Sequence, residues 1–159
     1  MDLDDFDRRL LDALQQDSRR TGDQLAALVG LSPAACLRRV QRLRETGIIE
    51  REIAIVTPEA VGRRLTMVVQ VTLEREQPAT SDEFKRQMRR APEVMQCYNV
   101  TGVTDFILIV SVADMEEYEE FTKRLLFEKY VRRFETMVVI DRVKFETTMP
   151  LGDNGGLRK

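Results

Sequence analysis

The hydrophobic period of this chain changes once, and that change limits the folds open to it. Up to residue 64, apolar side chains return every three or four positions, as on one face of a helix; from Leu65 they alternate, as on a strand. A length of 159 residues accommodates one ordinary domain or two small ones. The break therefore separates a helical N-terminal part from a part that mixes strands and helices, an α+β chain. With 43% apolar and 33% charged residues, both parts are expected to fold. Neither is large enough to bury a generous core alone, which favours self-association.

Leu3, Phe6, Leu10, Leu11 and Leu14 place an amphipathic helix over residues 4–16. Thr21 and Gln24 form a T-x-x-Q capping box for a second, short helix ending near Val29. Gly30 allows a sharp turn, and Ser32 caps a third helix with Pro33 at its first position, where a missing N–H costs nothing. This helix is expected to run to Thr46 and stop at Gly47, a left-handed cap. Two helices joined by the tight Val29-Gly30-Leu31 turn make a helix-turn-helix. Ile48, Ile49 and residues 53–56 are expected to add a short β element beside it. Together these define a winged helix-turn-helix domain over residues 1–56, followed by a linker over 57–64.

The third helix has two unlike faces. At 100° per residue, Cys36, Val40 and Leu43 share one side with Leu37 at its margin, and these form the expected core. Opposite lie Ala34, Ala35, Arg38, Gln41 and Arg42, flanked by Arg39. Guanidinium groups suit phosphate oxygens and guanine edges, and no lysine occurs before Lys85. A helix-turn-helix presents this helix to the major groove. Ser32, Pro33, Ala34, Ala35, Arg38, Arg39, Gln41 and Arg42 are thus the candidate contacts to double-stranded DNA. Because Pro33, Ala34 and Ala35 offer few hydrogen bonds, modest direct readout by Arg38 and Arg42 is expected, supplemented by DNA shape.

The whole-chain charge of −2 neither supports nor opposes this reading. Asp2, Asp4, Asp5, Asp7 and Asp12 crowd the first helix, yet nine arginines face six acids between Asp17 and Arg64. Phosphate binding follows the local face, not the total.

In the second half, residues 65–73 alternate as a strand that Gln77-Pro78 breaks. A helix over 81–90, strands over 94–100 and 105–112 joined at Gly102, a helix over 115–127 capped by Asp114, and a strand over 131–145 follow. The order β-α-β-β-α-β is the ferredoxin-like arrangement, here spanning residues 65–150. Residues 151–159, with three glycines, read as a loose tail. Phe106, Leu108, Val110 and Val112 point to one face of the sheet, but Ile107 and Ile109 make the other face apolar too. Met137 and Val139 likewise oppose Val138 and Ile140. A sheet with helices on one side should be polar on the other. A second copy of the same sheet is the economical cover, with Ile107 and Ile109 at the contact.

Composition narrows the rest. Histidine is absent, which removes the commonest zinc ligand and the commonest general base; no metal or cofactor is expected. Cys36 and Cys97 lack metal or redox spacing and read as reduced thiols. The charged first twenty residues hold no signal-peptide segment, and the apolar runs 106–110 and 137–140 are too short to span a bilayer. A cytoplasmic location without membrane association is expected.

The residues resemble the leucine-responsive regulatory protein/asparagine regulator (Lrp/AsnC) family of transcriptional regulators. The likeness lies in Leu3-Asp4 with Asp7, Leu25-Ala26, Val29-Gly30-Leu31-Ser32-Pro33, Cys36-Leu37-Arg38-Arg39-Val40, Leu43 and Gly47-Ile48-Ile49. It continues in Pro92-Glu93-Val94, Cys97-Tyr98, Thr101-Gly102 with Asp105, Val143-Lys144-Phe145 and Pro150-Leu151. The resemblance implies a winged helix-turn-helix joined by a β-strand linker to a ferredoxin-like ligand-response domain. It also implies dimers that assemble further, to tetramers or octamers around which DNA wraps. Effectors in the family are typically amino acids bound between dimers, which makes Tyr98, Thr101, Gly102, Thr104 and Asp105 the candidate effector contacts. Gly102 would allow close approach of backbone to a ligand, and Asp105 would pair with an α-ammonium group or simply start a strand. Val103 and Phe106 depart from the frequent family pattern, so no effector is named. The enzymatic alternative on a related fold, the siroheme decarboxylases, uses histidine in its chemistry and is disfavoured here. An RNA-binding sheet lacks its aromatic stacking motif.

Overall fold

The structure, a computed structural model, describes residues 2–74 and 78–151. Contacts divide the chain into two units, Met1–Ala54 with Lys144–Lys159, and Ile55–Val143. The return of the C-terminal stretch to the first unit is carried by Gln15, whose side-chain amide donates to the Met149 carbonyl at 3.1 Å and accepts from its N–H at 2.5 Å. Of the expected tail, residues 152–159 lie outside the described residues.

The first unit contains α1 (Asp5–Gln16), α2 (Gly22–Val29) and α3 (Pro33–Glu45). Each N-terminus is capped by a side chain that satisfies an orphan amide: Asp4 accepts from Asp7, Thr21 from Gln24 and Ser32 from Ala35. Gly30 ends α2 at φ 80°, a left-handed conformation that other residues enter only with strain. Leu10, Ala13, Leu14, Leu25, Val29, Cys36 and Val40 close the core between the three helices. Leu37 does not join them. It is 52% exposed, although a Cβ on Gly22 would come within 3.2 Å of it, so it rests on the opening turn of α2 from outside. The expected β element also fails to form: residues 48–56 carry no strand, and Ile53, Ile55 and Val56 are exposed. A strand needs a neighbour to complete its hydrogen bonds, and the only sheet among the described residues lies in the second unit.

In the second unit a 3₁₀ turn, Pro58–Val61, leads into β1 (Leu65–Leu73), α4 (Pro78–Arg90), β2 (Val94–Asn99), β3 (Phe106–Val112), α5 (Met115–Leu125) and β4 (Val131–Val138). The strands form one antiparallel sheet in the order β2-β3-β1-β4, the ferredoxin-like topology. Met67, Val69, Val71 and Leu73 of β1 and Phe106, Leu108, Val110 and Val112 of β3 bury one face under Phe84 and Met88 of α4 and Tyr118, Phe121 and Leu125 of α5. Two boundaries differ from expectation by three residues or more. α4 starts at Pro78, three residues early, because proline fits the first turn of a helix. β4 ends at Val138, not at residue 145, and residues 139–151 have no regular structure.

Arg63, just before β1, donates to the Ser111 carbonyl at 3.4 Å and forms an ion pair with Glu117 on the first turn of α5. The Ala113 N–H and then the Arg63 guanidinium hold the Glu117 carboxyl below its usual 4.5. A depressed carboxyl stabilises the fold only while ionised. Its contribution is complete above pH 4.5 and is lost as pH falls through the depressed value. Glu117→Gln is therefore expected to flatten the acid limb of a stability–pH curve measured by urea unfolding. Phe121, fully buried between α5 and the sheet, gives a larger effect: Phe121→Ala should lower unfolding stability by about 3–5 kcal/mol.

Candidate DNA and effector sites

The candidate DNA-binding face is built by the cap that starts α3. Ser32 holds an extended backbone (φ −69°, ψ 151°), accepts from the Ala35 N–H at 3.2 Å, and places Pro33 at the first helical position. With Cys36, Val40 and Leu43 buried, the opposite side is left to solvent. Ser32, Pro33, Ala34, Arg38, Gln41 and Arg42 are exposed, and Ala35 and Arg39 are half-buried. The helix thus brings all eight candidate residues onto one element, but their polar groups are not equally available. Arg38 makes no hydrogen bond or ion pair among the described residues, whereas Gln41 donates to Glu45 at 2.9 Å.

Arg39 and Arg42 are held from behind by α1. Arg42 Nη2 lies 2.7 Å from both oxygens of Asp7. Arg39 Nη1 donates to Asp4 at 2.7 Å and Asp7 at 2.9 Å, with its guanidinium 5.5 Å from the centre of the Phe6 ring. The Asp7 side chain is only 2% exposed, so a charge there requires such partners. Donation to the Asp4 and then the Asp7 carboxylate raises the Arg39 pKa, and the Asp7 N–H followed by Arg39 lowers that of Asp4. Sequence reasoning counted these aspartates as bulk charge and missed the pairing. A signal existed: Leu3, Asp7, Leu10 and Leu14 share one helical stripe, and a carboxylate in an apolar stripe must be neutralised.

In the second unit, the hairpin between β2 and β3 is pinned to the end of β1. The Thr104 hydroxyl donates to the Val71 carbonyl at 2.8 Å, and one Asp105 carboxylate oxygen accepts the Leu73 N–H at 2.8 Å. The Asp105 carbonyl accepts from the Asn99 amide and the Val100 N–H, both at 2.9 Å. Thr104 and Asp105 therefore shape the loop, while Thr101, Gly102 and Val103 form its exposed tip. Gly102 has φ 127°, which reserves the position for glycine.

Tyr98 stands apart from these two anchors. It pairs in register with Ile107, as Gln96 does with Ile109, and its hydroxyl donates to Gln96 at 3.0 Å. A candidate effector residue and the candidate interface residues thus share the sheet face that no helix of the unit covers. Val68 and Met137 lie on the same face, opposite each other in register. Ile107 and Ile109 are half-buried there and Met137 is 47% exposed. Among the described residues, no group of three or more His, Cys, Asp or Glu side chains is placed to hold a metal ion. No helix among them is long and apolar enough to cross a membrane.

Comparison with known proteins accounts for both units. Residues 3–44 match the AsnC-type helix-turn-helix domain, and residues 66–149 match the Lrp/AsnC ligand binding domain. The chain is 53% identical over 152 residues to an HTH-type transcriptional regulator of Sinorhizobium fredii, covering 95% of this chain and 90% of that one. It is 35% identical over 144 residues to the leucine-responsive regulatory protein of Escherichia coli, covering 90% and 88%. A transcriptional regulator of Neisseria meningitidis, solved as a complex with L-methionine, superposes with a TM-score of 0.88 at 31% identity, covering 94% of this chain and 97% of that one. An AsnC family regulator of Agrobacterium tumefaciens gives a TM-score of 0.87 at 31% identity, covering 93% and 97%. The chain belongs to the Lrp/AsnC family of transcriptional regulators.

Proposed function

We propose that this regulator binds double-stranded DNA through the solvent face of α3, as a homo-oligomer joined on the open face of its sheet, under control of an amino acid or a related metabolite. The activity is binding, without a catalysed reaction. The observation that carries the DNA assignment is the capped α3, which buries one side and presents Ser32, Pro33, Ala34, Ala35, Arg38 and Gln41 on the other. Small side chains on the first turn admit the helix deep into a groove, and the unpartnered Arg38 guanidinium one turn later suits a guanine edge or a phosphate.

The assembly assignment rests on the sheet. Ile107, Ile109, Val68 and Met137 form an apolar patch that a second copy would bury in an isologous contact. Tyr98 borders this patch, so a small molecule bound by Tyr98 and the Thr101–Gly102 tip would sense whether copies are joined. Asp105 keeps one carboxylate oxygen beyond its bond to Leu73, which suits an α-ammonium group. The methionine complex of the Neisseria neighbour supports an amino acid as the first ligand to test.

Three outcomes check the proposal. Arg38→Ala should weaken binding to a promoter duplex by about 1–3 kcal/mol in an anisotropy titration, with sedimentation unchanged; full affinity would remove Arg38 from the interface. Ile109→Asp buries an unpaired charge at the contact and should shift sedimentation toward the single chain; an unaltered profile would reject the open face as the contact. In a thermal-shift screen of the twenty amino acids, a binder should raise Tm in proportion to the logarithm of its concentration, and Tyr98→Ala should abolish that rise.

A further inference from the structure

α3 carries four arginines in the short run from Arg38 to Arg44, and three are already engaged within their own unit. Arg39 is bound by Asp4 and Asp7, Arg42 by Asp7, and Arg44 by Glu52 at 2.7 Å. Of these four arginines, Arg38 is the one with no hydrogen bond or ion pair among the described residues. Arg42 is the informative case. Its side chain is 44% exposed, so solvent and a phosphate can reach it, yet it lies 2.7 Å from both oxygens of a carboxylate that is 2% exposed. Moving it to DNA would leave Asp7 buried with fewer partners, a costly exchange. Arg39 is still more tightly held, by two carboxylates and the face of Phe6.

We propose that Asp4 and Asp7 are positioning residues for DNA recognition: they withdraw Arg39 and Arg42 from phosphate binding and leave Arg38 as the DNA-facing cation of α3. This rests on the reading that α3 meets DNA. Non-specific affinity comes mainly from cations that displace the counterions condensed on phosphates, and each phosphate neutralised steepens the fall of log K with log salt by about 0.9. A guanidinium neutralised by aspartate displaces none. The aspartates of α1 therefore lower affinity for random DNA while preserving the contact that reads sequence. The network is thus a device for specificity as well as a support for packing.

The test uses the full chain and a random-sequence duplex, with affinity measured by fluorescence anisotropy across a salt series. Asp7→Asn should bind random duplex about tenfold tighter at low salt, with a slope steeper by about 0.9 per released arginine. Asp4→Asn keeps an equally good N-cap, so helix α1 survives if Asp7→Asn does not fold, and it should shift the slope in the same direction. Arg42→Gln should leave the wild-type slope unchanged. A purely structural role for the network would leave the slope unchanged in Asp7→Asn and Asp4→Asn, which overturns the proposal. A shallower slope in Arg42→Gln overturns it as well. Asp12→Asn makes the same charge change on the exposed side of α1, where no ion pair is formed among the described residues. Equal steepening there would reduce the effect to bulk charge and overturn the proposal too. Arg38→Ala separates the two readings, since a slope unaltered by it would displace α3 from the DNA, whatever the aspartates do.

Discussion

A carboxylate that is 2% exposed is tolerated only when other charges answer it, and at Asp7 two guanidiniums from α3 do so. That requirement fixes the rotation of α3 about its own axis relative to α1. With Arg39 and Arg42 drawn toward α1, Cys36, Val40 and Leu43 turn into the core, and Ser32, Pro33, Ala34 and Arg38 turn to solvent. Caps at Thr21 and Ser32 set where the helices begin, and the left-handed backbone of Gly30 ends α2 and lets the chain turn toward α3. The solvent face proposed to meet DNA therefore follows from a buried charge as much as from the apolar stripe.

The second unit answers to a different constraint. Both helices pack on one side of a four-stranded sheet whose central strand β3 is apolar on both sides. Ile107 and Ile109 are left in an environment that favours neither full exposure nor burial within the chain. The polar atoms of Thr104 and Asp105 stitch the β2–β3 hairpin to β1, which keeps Tyr98 and the Thr101–Gly102 tip in fixed register with that apolar patch. Ligand recognition and self-association would then draw on one surface, which is economical for a sensor.

Features set by neighbours in sequence were the legible ones. The T-x-x-Q box, Ser32-Pro33, Gly30 and Asp114 each act over three or four residues, and all appear where the local chemistry places them. Alternation likewise located β1, because the two faces of its pleat meet different surroundings, and the short apolar runs on either side of Gly102 located β2 and β3. Features set by distant partners were not legible. The stretch over residues 48–56 has strand-forming residues but no neighbouring strand, and β4 stops where its pairing with β1 ends. Leu37 lies at the margin of the expected core and is instead half exposed beside Gly22. Asp7 carried the deepest misreading, since its role depends on arginines more than thirty positions away. At the effector loop, the family likeness chose the residues; the structure adds that two of them have structural bonds to satisfy first.

The proposed mode of binding requires the first turn of α3 to enter a DNA groove. Site-directed cleavage tests it most directly: an iron chelate is attached at Ala34→Cys in a Cys97→Ser background, with Cys36 protected by full burial. Strand cleavage is expected to be confined to a few base pairs at the centre of each half-site, with the staggered pattern of a groove-bound source. Bound DNA that shows no cleavage from position 34, or only uniform background cutting, would contradict it.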